Sequence, residues 1–274
     1  MTSRPPSSSR PALRSALAAA DEIFARLDGR SPAIFLDYDG TLTPIVNRPE
    51  QAHLPDATRD TLRRLAGRVP VAVVTGRDLD VVRDFVELDS LCYAGSHGFD
   101  LVGPDGSRRQ SDAALALLPD LDAAEAALRE QLDPIAGAEV ERKRFAIAAH
   151  YRNVDESEVA RFESIVDAVA DDYSSLEKTG GKKIFELRPA IDWDKGHAVL
   201  WLLDALDLSG ETVAPIYIGD DLTDEDAFRA LPAQGVSILV GHPEHESAAA
   251  WRLADADEVR EFLDRLVAWL DERD

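Results

Sequence analysis

The chain has 274 residues, 45% of them hydrophobic, enough for one large domain or two modest ones with a real core. Its formal net charge of −22 leaves no broad basic footprint for nucleic acid or anionic lipid, and no charge-free stretch is long enough to span a membrane, so neither partner is expected. The single cysteine, Cys92, excludes an intramolecular disulfide and a zinc site built on several thiolates. A cytoplasmic setting is expected, because the apolar stretch at residues 16–20 meets Asp21 and Glu22 too early for a secretory leader.

Residues 1–10, rich in Ser, Pro and Arg, offer nothing to bury and are expected to be disordered. Small and apolar residues at helical spacing predict a helix over 12–27, ended by the turn residues Asp28-Gly29-Arg30-Ser31-Pro32. A first strand over 33–36 runs into Asp37-Tyr38-Asp39-Gly40-Thr41. A helix over 55–66 leads to a strand exiting at Thr75-Gly76-Arg77, and a helix over 80–86 leads to a strand over 91–95. Strands alternating with helices predict a parallel sheet with right-handed crossovers.

The rhythm changes near residue 100. A strand over 99–102 and the tight turn Gly103-Pro104-Asp105-Gly106 precede an Ala- and Leu-rich helix over 112–130. The run 138–151 reads as one half-buried strand, with Val140, Arg142, Arg144, Ala146, Ala148 and His150 on one parity. A helix over 158–170 and a strand over 183–187 complete an α+β insert. Alternation then returns: helix 195–205, strand 214–218, helix 223–230, strand 236–240 and helix 259–270. The expected organisation is an N-terminal arm and helix over 1–30, a Rossmann-like parallel-sheet core over 31–110 and 191–274, and an inserted α+β domain over 111–190.

Carboxylates rarely end buried strands, yet Asp37 and Asp39 follow one apolar run and Asp220, Asp221 and Asp224 follow another. Ligands of open parallel sheets bind beyond the carboxyl ends of the strands, so both clusters are expected in one crevice. Carboxylates crowded together resist ionisation unless a cation sits among them, and a hard ion such as Mg²⁺ takes oxygen ligands. Asp37 suits a covalent nucleophile toward phosphorus and Asp39 a general acid and base, although Asp-Tyr-Asp-Gly-Thr also suits a turn with a helix cap. Thr75 offers a hydroxyl at a strand exit, either for a phosphoryl oxygen or as a helix cap. Lys195 falls at the start of a helix, where the dipole disfavours a cation, which implies a negative partner. Asp220 and Asp224 are four apart, so a helical turn beginning in this loop would set both on one face, for metal or for a solvated helix start.

The only lysines are Lys143, Lys178, Lys182, Lys183 and Lys195, clustered in one part of the chain; arginine-rich coding accounts for some of this, and a demand for ammonium chemistry for the rest. Gly95-Ser96-His97-Gly98 lacks a nucleophile elbow, no Gly-rich phosphate loop with Gly-Lys-Ser/Thr occurs, and Cys92 reads as a small buried hydrophobe. His242 and His245 read as a polar loop rather than a metal pair.

The ordered set Asp37-x-Asp39-Gly40-Thr41, Thr75, Lys195 and Gly219-Asp220-Asp221-x-x-Asp224 resembles the haloacid dehalogenase superfamily of aspartate-nucleophile phosphohydrolases. Tyr93-Ala94-Gly95-Ser96-His97-Gly98, His150-Tyr151-Arg152-Asn153-Val154, Glu186-Leu187-Arg188-Pro189 and Asp192-Trp193-Asp194-Lys195-Gly196 are similar to phrases of its trehalose-6-phosphate phosphatase family. The resemblance covers residues 31–270. It implies a haloacid dehalogenase-like core with a cap domain, Asp37 as nucleophile, Asp39 as acid and base, and Mg²⁺ on Asp37, the Asp39 carbonyl and Asp220, with Asp221 and Asp224 behind them. Thr75 and Lys195 are implied to bind the phosphoryl group, and Glu141, Lys143, Arg152, Lys182 and Glu186, with Arg77 and His97 from the core, to contact the sugar. The family often has serine where Thr75 stands; the hydroxyl is kept. The implied substrate is a small sugar phosphate, trehalose 6-phosphate first, with another such as sucrose 6-phosphate, a non-catalytic sugar-phosphate sensor and a phosphotransferase as rivals. No room for a glycosyltransferase domain is expected in this chain, and the oligomeric state is left open by the sequence, with a monomer sufficient for the implied site.

Overall fold

The computed structural model describes residues 13–46, 48–181, 183–242 and 246–273; residues 1–10, Lys182 and His245 lie outside them. In chain order come β1 (Arg14–Ser15), α1 (Ala20–Arg26), β2 (Ser31–Leu36), α2 (Asp56–Ala66), β3 (Val71–Val74), α3 (Leu79–Val86), β4 (Cys92–Gly95), β5 (Asp100–Val102) and β6 (Arg108–Gln110). Then follow α4 (Asp112–Ala116), α5 (Leu118–Leu132), β7 (Glu139–Lys143), β8 (Ala146–His150), α6 (Val159–Asp172), β9 (Leu176–Gly181) and β10 (Ile184–Pro189). The chain continues with α7 (Lys195–Ala205), β11 (Val213–Gly219), α8 (Asp224–Ala230), β12 (Val236–Val240), β13 (Trp251–Leu253) and α9 (Ala256–Asp271).

A large sheet is ordered β1-β13-β12-β11-β2-β3-β4-β5-β6, parallel from β1 to β4 and antiparallel beyond. Every residue of β3, β11 and β12 is buried, as a parallel sheet covered on both faces requires. Alternate residues divide between the faces: Ile34, Leu36, Val71, Val73, Ile216 and Ile218 pack with α1, α2, α3 and α9, while Phe35, Ala72, Val74 and Tyr217 pack with α7 and α8. Burying a side chain of this size contributes about 1.5–3 kcal/mol, so the central strands cannot shift register cheaply. Their order, β11-β2-β3, sets Asp220, Asp37 and Thr75 side by side at the carboxyl edge.

The inserted domain is an antiparallel sheet, β7-β8-β10-β9, backed by α5 and α6 through Leu121, Leu128, Phe162, Val166, Ile147 and Leu187. Its other face carries Glu141, Ala148 and Glu186 in one cross-strand row and Lys143 beside Ala146 in the next. Phe99, Ala114 and Phe145, with Ile191 and Trp193 against them, form a small apolar cluster where the two connections between core and insert run.

Three expectations need correction. The run 138–151 is a hairpin and not one strand: it turns at Arg144-Phe145, so Val140 and Arg142 do not share a face with Ala146, Ala148 and His150. No Gly, Pro or Asn marks that turn; Phe145 anchors it by packing 5.9 Å, ring to ring, from Phe99. The helix expected over 12–27 is helical only at Ala20–Arg26, because Arg14–Ser15 pairs with β13 and the Arg14 guanidinium lies 4.7 Å from the centre of the Trp251 ring. The helix expected over 112–130 breaks at Leu117, as Pro119 in the first turn of α5 has no N–H to continue α4. Among the described residues no helix is long and apolar enough to cross a membrane.

Candidate active site

Asp37 leaves β2 with its backbone N–H still donating to the Ile218 carbonyl of β11, which brings its side chain toward the β11 exit. Lys195, at the first position of α7, is buried and donates at 2.7 Å to Asp37 Oδ1 and at 2.7 Å to Asp224 Oδ1. The negative partner implied by its place at a helix start is thus a pair of carboxylates. Burial disfavours the ammonium, but Asp224 and Asp37 outweigh it and hold Lys195 well above the usual lysine range.

Asp220 and Asp224 do not stand side by side on a helix face. Asp220 precedes α8, and the Asp224 carboxylate folds back so that Oδ2 accepts the backbone N–H of Asp220 at 3.0 Å and of Asp221 at 2.9 Å. Its Oδ1 accepts the Tyr217 hydroxyl at 2.6 Å as well as Lys195. Four donors use the acceptor capacity of one carboxylate, so Asp224 orders the loop and the lysine rather than offering open lone pairs. Asp221 is exposed and its side chain accepts the Leu222 N–H at 2.6 Å.

Among the described residues, Asp37, Asp220 and Asp224 each place an oxygen within 4.8 Å of the others, a grouping able to hold a divalent cation. Asp37 and Asp220 are the members with open oxygens. Burial, with the charges of Asp224 and Asp220, raises the Asp37 carboxyl well above its ordinary range against the pull of Lys195. Burial and the Asp224 charge push Asp220 up to about 7. Gly40 adopts φ +83°, and a Cβ there would meet Asp220 Oδ2 at 2.1 Å, so only glycine lets this loop close on the acid. A hard divalent ion with oxygen ligands fits such a donor set, since it would restore the ionised form of both acids.

Asp39 turns to a different partner. Arg77 grips it through two bonds of 2.6 Å, from Nε to Oδ2 and from the terminal nitrogen to Oδ1, and also donates to the Pro49 carbonyl at 2.9 Å. Thr75 is buried at the end of β3, and its Oγ accepts the Arg77 N–H at 3.2 Å. The Thr75 carbonyl accepts the His97 N–H at 2.8 Å. His97 has left-handed backbone (φ 57°, ψ 22°), and its ring lies where a Cβ on Gly76 would stand, 2.7 Å away.

From the insert, Lys143 Nζ donates to Glu186 Oε1 at 2.6 Å, and Glu186 Oε2 stands 3.8 Å from His97 Nε2, an ion-pair distance rather than a hydrogen bond. Burial would raise Glu186, but His97 and Lys143 hold its carboxyl down at about 2. Burial lowers His97, against the pull of Glu186. Glu141 pairs with His150 at 2.9 Å on the same sheet face, and Arg152 is exposed in the turn after β8. Asp37, Lys195, Asp220 and Asp224 therefore converge, Thr75, Arg77, Asp39 and His97 adjoin them, and Lys143 and Glu186 reach His97 from the insert.

Tyr217 was not singled out by its sequence, although a phenol inside a buried strand needs a hydrogen-bond partner and was a usable signal. Burial and the charges of Asp224 and Asp37 push its hydroxyl well above the usual phenol range, so it stays a donor.

A model of the trehalose-phosphatase family matches residues 35–257. A trehalose-phosphate phosphatase of Mycobacterium bovis is 46% identical over 261 residues, which cover 94% of this chain and 66% of the relative. A Mycobacterium tuberculosis protein described as an uncharacterized glycosyl hydrolase is 48% identical over 263 residues, again 94% of this chain but 20% of the relative, so the chain spans only part of the curated relatives it matches. A solved trehalose-6-phosphate phosphatase related protein superposes with a TM-score of 0.78 at 27% identity, covering 89% of this chain and 100% of that one. The fold is a haloacid dehalogenase-like α/β core with an inserted cap domain. With the matched segment running from the strand before the first acid pair to the last helix, the chain belongs to the trehalose-phosphatase family.

Proposed function

We propose that the chain hydrolyses the phosphate monoester of trehalose 6-phosphate to trehalose and phosphate, with Mg²⁺, through an aspartyl-phosphate on Asp37. The reading rests on one observation above all: Asp37, Lys195 and Asp220 meet at the carboxyl edge beside Thr75, while Lys143 and Glu186 of the cap reach the same crevice. In it, an ionised Asp37 oxygen attacks phosphorus as Asp39 gives a proton to the departing sugar oxygen. Asp39 then takes a proton from water, whose oxygen attacks the acyl phosphate and restores Asp37. Lys195 offsets charge on the transferring group, and the Thr75 hydroxyl donates to one of its oxygens.

Asp37, Asp220 and the Asp39 carbonyl would hold Mg²⁺, which when bound neutralises charge on the phosphoryl oxygens. Arg77 acts through Asp39 in this reading, holding the carboxylate in place between its two proton transfers. Glu186, Lys143, His97, Glu141, Arg152 and Lys182 supply donors and acceptors for sugar hydroxyls. Cap closure excludes bulk water while the phosphoryl group is in transit.

Phosphate release from trehalose 6-phosphate, sucrose 6-phosphate and other sugar phosphates, with and without Mg²⁺, tests this. Mg²⁺-dependent release favouring trehalose 6-phosphate is expected. Equal turnover of sucrose 6-phosphate rejects the narrow substrate, no release from any of them leaves a binding module, and failure of labelled water oxygen to enter the phosphate indicates transfer to a second sugar.

A further inference from the structure

Asp78 occupies the N-cap position of α3 with extended backbone (φ −60°, ψ 141°), yet its side chain caps nothing in its own helix. An aspartate there ordinarily accepts an N–H from two or three residues on. Instead both carboxylate oxygens face the backbone N–H of Arg144, at 3.0 and 2.9 Å, and Oδ1 also accepts the Ser96 hydroxyl at 3.0 Å. Arg144 is in the turn of the β7–β8 hairpin, so this bond crosses from core to cap. Its neighbours give the bond a purpose. Lys143 carries the ammonium that pairs with Glu186, and Phe145 is buried against Phe99 of the core. On the core side, Asp78 follows Arg77, which grips Asp39, and Thr75, which closes β3. Gln110 adds a second core contact to the same turn, accepting from the Arg144 guanidinium at 3.2 Å.

We propose that Asp78 is a positioning residue that tethers the cap hairpin to the phosphoryl-binding loop and so sets where Lys143 and Glu186 stand relative to the reacting centre. A charged acceptor on a backbone N–H is among the stronger neutral-to-ion contacts, and it holds whatever side chain residue 144 carries. The inference rests on the proposed sugar-phosphate reading for its kinetic consequence, and on geometry alone for the tether.

The test uses the full chain with Asp78→Ala and Asp78→Asn, the latter keeping an acceptor oxygen. Amide hydrogen exchange of the 140–147 segment is read alongside steady-state kinetics on trehalose 6-phosphate and on p-nitrophenyl phosphate, which has no sugar for the cap to hold. Asp78→Ala should speed exchange at Arg144 roughly tenfold, the loss expected for one charge-assisted hydrogen bond, and raise KM for the sugar phosphate by a similar factor. Turnover of p-nitrophenyl phosphate should stay within about twofold, and Asp78→Asn should recover most of both effects. Unchanged exchange in Asp78→Ala, or equal loss on both substrates, overturns the proposal. Should the unsubstituted chain release no phosphate from trehalose 6-phosphate, the substrate reading fails by itself, and exchange at Arg144 still decides the tether: faster supports it, unchanged overturns it.

Discussion

Arg77 and Asp39 form a two-pronged ion pair at the mouth of the site, with both nitrogen-to-oxygen distances 2.6 Å. The guanidinium is further seated 5.5 Å from the Tyr38 ring centre and 5.2 Å from that of Phe85. An ammonium cannot reproduce this planar, stacked grip. Arg77→Lys should therefore leave Asp39 misplaced and lower kcat/KM for the sugar phosphate by about 10²-fold. Initial rates over a range of substrate concentrations check this; a value within a factor of two of the unsubstituted chain would show that the pair does not position the acid.

Asp37→Asn should remove turnover, by at least about 10³-fold, because a carboxamide is a poor nucleophile toward phosphorus. Stability should move the other way. The Asp37 carboxyl is raised by burial and by neighbouring Asp224 and Asp220, so without metal its ionised form is unfavourable. A melting temperature in chelator equal to or above that of the unsubstituted chain is expected, and calorimetry of both proteins measures it.

If Mg²⁺ occupies the proposed site between Asp37 and Asp220, it should raise the melting temperature by about 5–10 °C at saturating concentration, because an ion held only by the folded chain would offset the charge of these acids. Asp220→Asn should abolish that shift. The same shift persisting in the variant would move the metal away from this acid.

Glu186 gives a pH-dependent contribution whose sign can be worked out. Its carboxyl falls from 4.5 unfolded to about 2 folded, held down by His97 and Lys143 against burial. The unfolded chain binds more protons between these values, so the stabilisation is complete above pH 4.5 and disappears as pH falls through about 2. Glu186→Gln should thus cost on the order of 2–3 kcal/mol at pH 7, with the difference from the unsubstituted chain narrowing toward pH 2. Urea unfolding at a series of pH values reads this; a difference independent of pH would assign the loss to packing.

Much of the core was legible because a strand buried on both faces must be an unbroken apolar run, and 33–36, 71–74 and 214–218 are such runs. An acid at the end of such a run has no packing reason to be there, which is why Asp37 and Asp220 stood out. The short strands Arg14–Ser15 and Trp251–Leu253 were missed because two or three residues carry no period. Leu176–Gly181 was missed because Leu-Glu-Lys-Thr-Gly-Gly neither alternates nor favours strand; its pairing with β10 holds it. The hairpin turn at Arg144 was hidden for a related reason, since contact with Phe99 and Asp78 replaces local turn chemistry.

The amino-acid order by itself determined the long buried strands of the core, most of its helices and the kinds of chemical group at the strand exits, because periodicity and residue type act over a few neighbours. Which group meets which was decided only by the folded chain. Lys195 lies between Asp37 and Asp224, Tyr217 supports Asp224, Arg77 takes Asp39, and Asp78 reaches across to Arg144. Those pairings follow from sheet order and from the packing of cap on core, long-range contacts that local spacing does not encode. Hydrogen bonds and ion pairs depend on separations of a few tenths of an ångström, and only the packed interior sets distances that finely.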